Sequence, residues 1–317
     1  MNDLTTPDLH DSTPASRRRA FLTGVLFSNL MAVTIACTIL LLRDLGRFDM
    51  GGTVFILLPT LMGVAAAYSW RRTKLTEWQV WKWTTGVFLP ALAVFSVILK
   101  EGALCLLMVS PLIIAMMFLG VYIGRWLFRV RRPRMNLSLA TVALLMFVAD
   151  FTSPHDHQSL VTDSLIIHAS PSAVWPHVVA FPEIKERPSY LFFKVGLPMP
   201  ASVTVDGYKA GAVRKSIFSN GLAVEEVMTV FEPGRHLVFD VSRQPNDPEI
   251  MGHVTMQRGE FILTDNGNGT TTMTVNSWYL LHTYPAWYFD LWAGSIARNV
   301  HLRVMEHIRD LSEGTTM

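Results

Sequence analysis

The chain has 317 residues, 50% of them hydrophobic and 16% charged, with a formal net charge of +2. So small a charge argues against a nucleic-acid partner, and the apolar excess is that of a chain with membrane-like segments rather than of an ordinary soluble protein. Its two cysteines, Cys37 and Cys105, lie in apolar blocks, which excludes a disulfide framework or CxxC zinc site in the second half.

Residues 1–16 are polar, with scattered Pro, Ser, Thr and Asp, and are expected to be disordered. Arg17, Arg18 and Arg19 then lead into an apolar block over 20–42, too long for a signal peptide and without its small-residue cleavage site. Further apolar blocks run over 52–70, 83–99, 102–124 and 135–150. Residues 17–151 therefore read as a transmembrane region, whose short fifth block spans only with its flanks included.

Basic residues fall in alternate loops: Arg17–Arg19, then Arg71, Arg72, Lys74 and Lys82, then Arg125 to Arg134. That alternation predicts a cytoplasmic N-terminus. The following domain is periplasmic if the fifth block spans, and cytoplasmic if it does not. No block carries an acidic or histidine pair suited to an ion path, so the region reads as an anchor among membrane lipids.

Residues 152–160 read as a polar linker. His155 and His157 flank Asp156 at a spacing that suits a metal, but no further ligands stand nearby, and neither metal nor cofactor is expected. From 161 onward the pattern is that of an α+β domain reaching 313. A β-branched strand ends at His168, with Ser170 as N-cap and Pro171 at the first helical position. The helix runs to Phe181 with Pro176 weakening its middle, and an irregular segment follows over 183–190. Strand-like runs then alternate with turns at Asn220-Gly221, Pro233-Gly234 and "NGNG". Residues 285–311 form one amphipathic helix, with Phe289, Trp292, Ile296, Val300, Val304, Ile308 and Leu311 on a single stripe.

The stretch "IIHASPSAVWPHVVAFPEI", with "GAVRKSIFSNG", "VEEVMTVFEP", "LVFDVSRQP", "GEFIL", "SWYLLHTYPAWYFDLW" and "HLRVMEHI", resembles the START-like superfamily, also called SRPBCC or polyketide cyclase/dehydrase-like. Within that superfamily these stretches resemble a membrane-tethered bacterial subgroup. The resemblance covers residues 161–313 and implies a helix-grip fold, a curved antiparallel sheet around a long C-terminal helix, carried on a bacterial inner membrane.

Treating Asn220-Gly221 as a two-residue loop sets Ser216 opposite Glu225 and Arg214 opposite Val227. Arg214, Ser216, Phe218 and Glu225 then share one face, with Lys215 across from Glu226 on the other. The residues alone leave open which face lines the cavity. The resemblance implies Arg214 and Glu225 inside, since Glu226 stands where it implies Pro, and Ser216 stands where it implies Cys.

With Trp278, Tyr288 and Trp292, these residues are the candidate ligand contacts. An Arg–Glu pair either orients a polar ligand group or closes the sheet. His301, on the last helix, is a candidate general base, although chain order shows no Ser-His-Asp signature. The resulting expectation is a membrane-anchored module holding a hydrophobic small molecule, lipid, isoprenoid or polyketide-like. The enzyme alternative is a cyclase or dehydratase using Arg214, Glu225 and His301. The third is an interaction or sensor module without a ligand.

Overall fold

The computed structural model describes residues 13–44, 53–99, 103–129, 145, 148, 156–185, 190–245 and 253–314. Most of the expected fifth span, His155 and most of the polar N-terminus lie outside these. The chain divides into two compact units, Met1–Pro154 and His155–Met317.

In the first unit, helix α1 runs over Pro14–Asp44, three residues into the stretch expected to be disordered. Thr13 accepts from the Ser16 backbone N–H at 3.4 Å, and Pro14 suits the first helical position. A π-turn over Thr53–Leu57 leads into α2, Leu58–Trp70. Helix α3 spans Glu77–Leu99 and α4 spans Ala103–Arg129. Helix α3 begins before the apolar block at 83 because Thr76 and Gln79 cap it reciprocally, at 3.0 and 3.4 Å.

Helices α2 and α4 meet backbone to backbone. A Cβ on Gly120 would stand 2.0 Å from the Thr60 carbonyl oxygen, and one on Gly63 would stand 2.2 Å from that of Met117. Small residues permit this approach in membrane helix pairs. By length and composition, two of the described helices suffice to cross a membrane, Thr53–Trp70 and Leu104–Phe128.

The second unit is one antiparallel sheet of seven strands in the order β1-β7-β6-β5-β4-β3-β2. The strands are β1 His157–Ile167, β2 Pro200–Val205, β3 Val213–Phe218, β4 Ala223–Glu232, β5 His236–Arg243, β6 Val254–Asp265 and β7 Thr271–Leu281. Strand β1 begins inside the expected linker, because His157–Leu160 continue the ladder on β7 as far as Leu281. Helices α5 (Pro171–Val179) and α6 (Leu191–Lys194) connect the two edge strands, and α7 (Ala286–Ser312) closes the chain. Ser170 adopts the expected extended N-cap backbone, but its hydroxyl meets Ser172 rather than a backbone N–H.

Register shifts in β2, β4 and β6 bend the sheet. Its inner face packs Met228, Leu237, Phe239, Phe261 and Met273 against Val174 and Val178 of α5 and Met305 and Ile308 of α7. Gly259 lets the Phe239 ring cross the sheet, since a Cβ there would come within 2.3 Å of it. A curled antiparallel sheet with a C-terminal helix on its concave side is the helix-grip architecture.

Candidate functional site

The β3–β4 hairpin does not have a two-residue loop. Phe218 N–H donates to the Leu222 carbonyl at 2.8 Å and Gly221 N–H to the Phe218 carbonyl at 2.9 Å, with Gly221 at φ +81°. Ser219, Asn220 and Gly221 thus form a three-residue loop with glycine in the left-handed region. The extra residue slips the register by one, so Arg214 pairs with Glu226 and Lys215 with Glu225. A slip of one exchanges the faces of a whole strand.

Glu226, not Glu225, is therefore the inward carboxylate. Arg214 and Glu226 form a buried ion pair, with side chains 4% and 7% exposed. Ser216 accepts from Arg214 Nη1 at 3.2 Å and donates to Glu226 Oε1 at 3.0 Å. Arg214 Nε reaches the Val179 carbonyl at 3.3 Å, and its guanidinium carbon lies 4.6 Å from the Phe239 ring centre. On the outer face Glu225 meets Lys215 at 3.1 Å, half in solvent.

Phe218 continues the Arg214–Ser216 face at the end of β3 and is half-buried. Trp278 does not share that face. It pairs with Leu160 and Arg258, and Leu160 is 52% exposed, so alternation turns Trp278 outward while Ser277 and Tyr279 turn inward. Tyr288 and Trp292 stand on the first half of α7, where Trp292 packs edge-on against Phe192 of α6 at 6.3 Å. His157 is exposed at the start of β1, and its neighbour Asp156 accepts from His282 at 2.7 Å. Among the described residues no group of three or more His, Cys, Asp or Glu side chains is placed to hold a metal.

Helix α7 is attached to β1 and β7 by two polar clusters. Asp290 accepts from Ser159 at 2.5 Å and from Tyr279 at 2.9 Å. Farther along, His301 Nδ1 lies 2.9 Å from Asp163 Oδ2, and its Nε2 lies 2.7 Å from Ser277 Oγ. Arg298 Nε donates to the other Asp163 oxygen at 3.0 Å. Burial pulls His301 below the ordinary imidazole range, outweighing the opposing pull of Asp163. Nearby, burial and a 2.7 Å hydrogen bond to Glu306 push the Tyr190 phenol up to about 12.

Asp163 and Ser277 were not among the expected site residues, and Glu226 was expected on the outer face. The first two carried a legible signal, because Asp163 has the parity of core residues Leu165 and Ile167, and Ser277 that of Val275 and Tyr279. A carboxylate or hydroxyl at an inward position of a buried strand needs a partner inside.

No family model matches the chain, and no curated protein matches it. Among solved structures it is similar to norcoclaurine synthase from Thalictrum flavum, in complex with dopamine and hydroxybenzaldehyde, at 10% identity and a TM-score of 0.36 over 51% of this chain and 91% of that one. It is also similar to a protein from Mesorhizobium loti, at 16% identity and 0.34 over 50% and 100%, and to XoxI from Bacillus cereus, at 17% identity and 0.33 over 48% and 94%.

Proposed function

We propose that residues 156–314 hold a hydrophobic small molecule, of lipid, isoprenoid or polyketide-like character, between the inner face of the sheet and the first half of α7. The reading rests on the uneven packing of that helix. From His301 to Ile308 it contributes five buried residues to the unit, whereas none is buried from Ala286 to Val300. At the loose end Trp287, Leu291 and Leu191 are each about two-thirds exposed, beside the Phe192–Trp292 ring contact. Large apolar side chains left open at the edge of a concave sheet mark a place where apolar surface awaits a ligand.

The apolar helices of the first unit anchor the chain in a membrane in this reading. A membrane-soluble ligand then reaches its site without a long passage through water, and membrane lipids are the natural neighbours. The Arg214–Glu226–Ser216 cluster supplies the polar wall that orients one end of the molecule.

Native mass spectrometry of the full chain released from detergent, before and after organic extraction, tests the proposal. The expected result is a stoichiometric lipid-sized adduct that extraction removes. No adduct, together with no binding of a fluorescent fatty acid by the extracted protein, would overturn it.

A further inference from the structure

We propose that Ser277, His301 and Asp163 form an acyl-transfer relay where α7 crosses the inner face of β1 and β7, with an ester of a hydrophobic acid as its substrate class. The substrate class rests on the ligand reading above; the relay rests on its own geometry.

Three elements bring the groups together. Asp163 on β1 lies opposite Val275 of β7, so Ser277 is its neighbour two positions along on the same inner face, and α7 lays His301 across both. Arg298 Nε donates to the Asp163 oxygen that His301 does not meet. In the relay Asp163 is the acceptor, which places the His301 proton on Nδ1. Nε2 is then left with its lone pair, and the Ser277 hydroxyl donates to it. The imidazole is neutral at pH 7 and able to take a proton.

The Asp290 cluster shows what mere attachment of α7 requires, a carboxylate taking two hydroxyls directly. The second cluster differs by a base inserted between carboxylate and hydroxyl. Ser277 also keeps some exposure, whereas Val275 and Tyr279 on either side of it are buried.

In the reaction, Ser277 Oγ adds to the ester carbonyl carbon as its proton passes to His301 Nε2. The bond from carbonyl carbon to alcohol oxygen breaks, and the alcohol leaves with that proton. Water then adds to the acyl-serine, giving a proton to Nε2. The acid departs and the proton returns to Ser277 Oγ. Ser277 and His301 are the catalytic residues, while Asp163 and Arg298 position the imidazole.

The test is covalent labelling of the full chain in detergent by a long-alkyl fluorophosphonate, with the modified residue mapped by peptide mass spectrometry. One adduct per chain on Ser277 is expected, absent in Ser277→Ala and formed at least about 100-fold more slowly in His301→Gln. Asp163→Asn serves as the second positioning variant if His301→Gln does not fold. No adduct on Ser277, or an adduct only on another residue, in protein that still binds a fluorescent fatty acid makes the cluster a structural fastening and overturns the relay. Loss of fatty-acid binding as well overturns the cavity reading itself, and an adduct on Ser277 without fatty-acid binding supports the relay and overturns only the substrate class.

Discussion

Arg214 and Glu226 stand directly opposite each other on β3 and β4 and form an ion pair with less than a tenth of either side chain exposed. Their neighbours Lys215 and Glu225 make the same kind of pair on the outer face, with 52% and 32% of the side chains in water. Two adjacent, chemically alike pairs thus occupy opposite dielectric surroundings.

Their energetic weights should differ accordingly. Glu226→Ala strands the Arg214 charge in the interior and is expected to cost about 3–5 kcal/mol. Glu225→Ala removes an exposed partner and is expected to cost less than about 1 kcal/mol. Urea unfolding of both variants checks this, and equal losses would contradict the register.

The two halves of α7 should also respond differently. Met305 is fully buried, and Met305→Ala is expected to cost about 2–5 kcal/mol. Leu291 is 67% exposed, so Leu291→Ala is expected to change stability by no more than about 0.5 kcal/mol. The ligand reading adds that Leu291→Ala weakens retention of the lipid-sized adduct, which native mass spectrometry reads separately from unfolding.

Burial holds His301 below the ordinary histidine range, and it does the same to His177, with a smaller contribution from His307. The unfolded chain takes these protons near pH 6.5 and the folded chain only at lower pH. This part of the stability is complete above about pH 6.5 and declines as the pH falls from there toward the folded values. Urea midpoints measured from about pH 8 to about pH 5 should fall, and less steeply in His301→Asn. A slope unchanged by that substitution would contradict the burial of a neutral imidazole.

Gly120 is the tightest point between α2 and α4, where any Cβ would collide with the Thr60 carbonyl. Gly120→Leu is expected to force the helices apart and destabilise the first unit by about 1–3 kcal/mol. Thermal unfolding in detergent measures this, and an unaltered transition would show that the helices do not pack there.

The second unit's elements were readable from local chemistry. Alternating β-branched runs, Pro233-Gly234, "NGNG" and a long apolar stripe specify strands, turns and a terminal helix through contacts between near neighbours. Sheet register was not, because one residue in the Ser219–Gly221 loop decides which of Glu225 and Glu226 faces inward. Trp278 shows the same limit. Its size suited a cavity wall, but the face it occupies follows from pairing with Leu160 and Arg258.

By itself the sequence determined the order of strands and helices and the apolar character of the first half, since both arise from patterns within one turn or one strand. Only the tertiary structure decided which polar groups meet. Asp163 and His301 are 138 residues apart and Ser277 and His301 are 24 apart. Their hydrogen bonds exist because the sheet brings its first and last strands side by side and α7 closes over them.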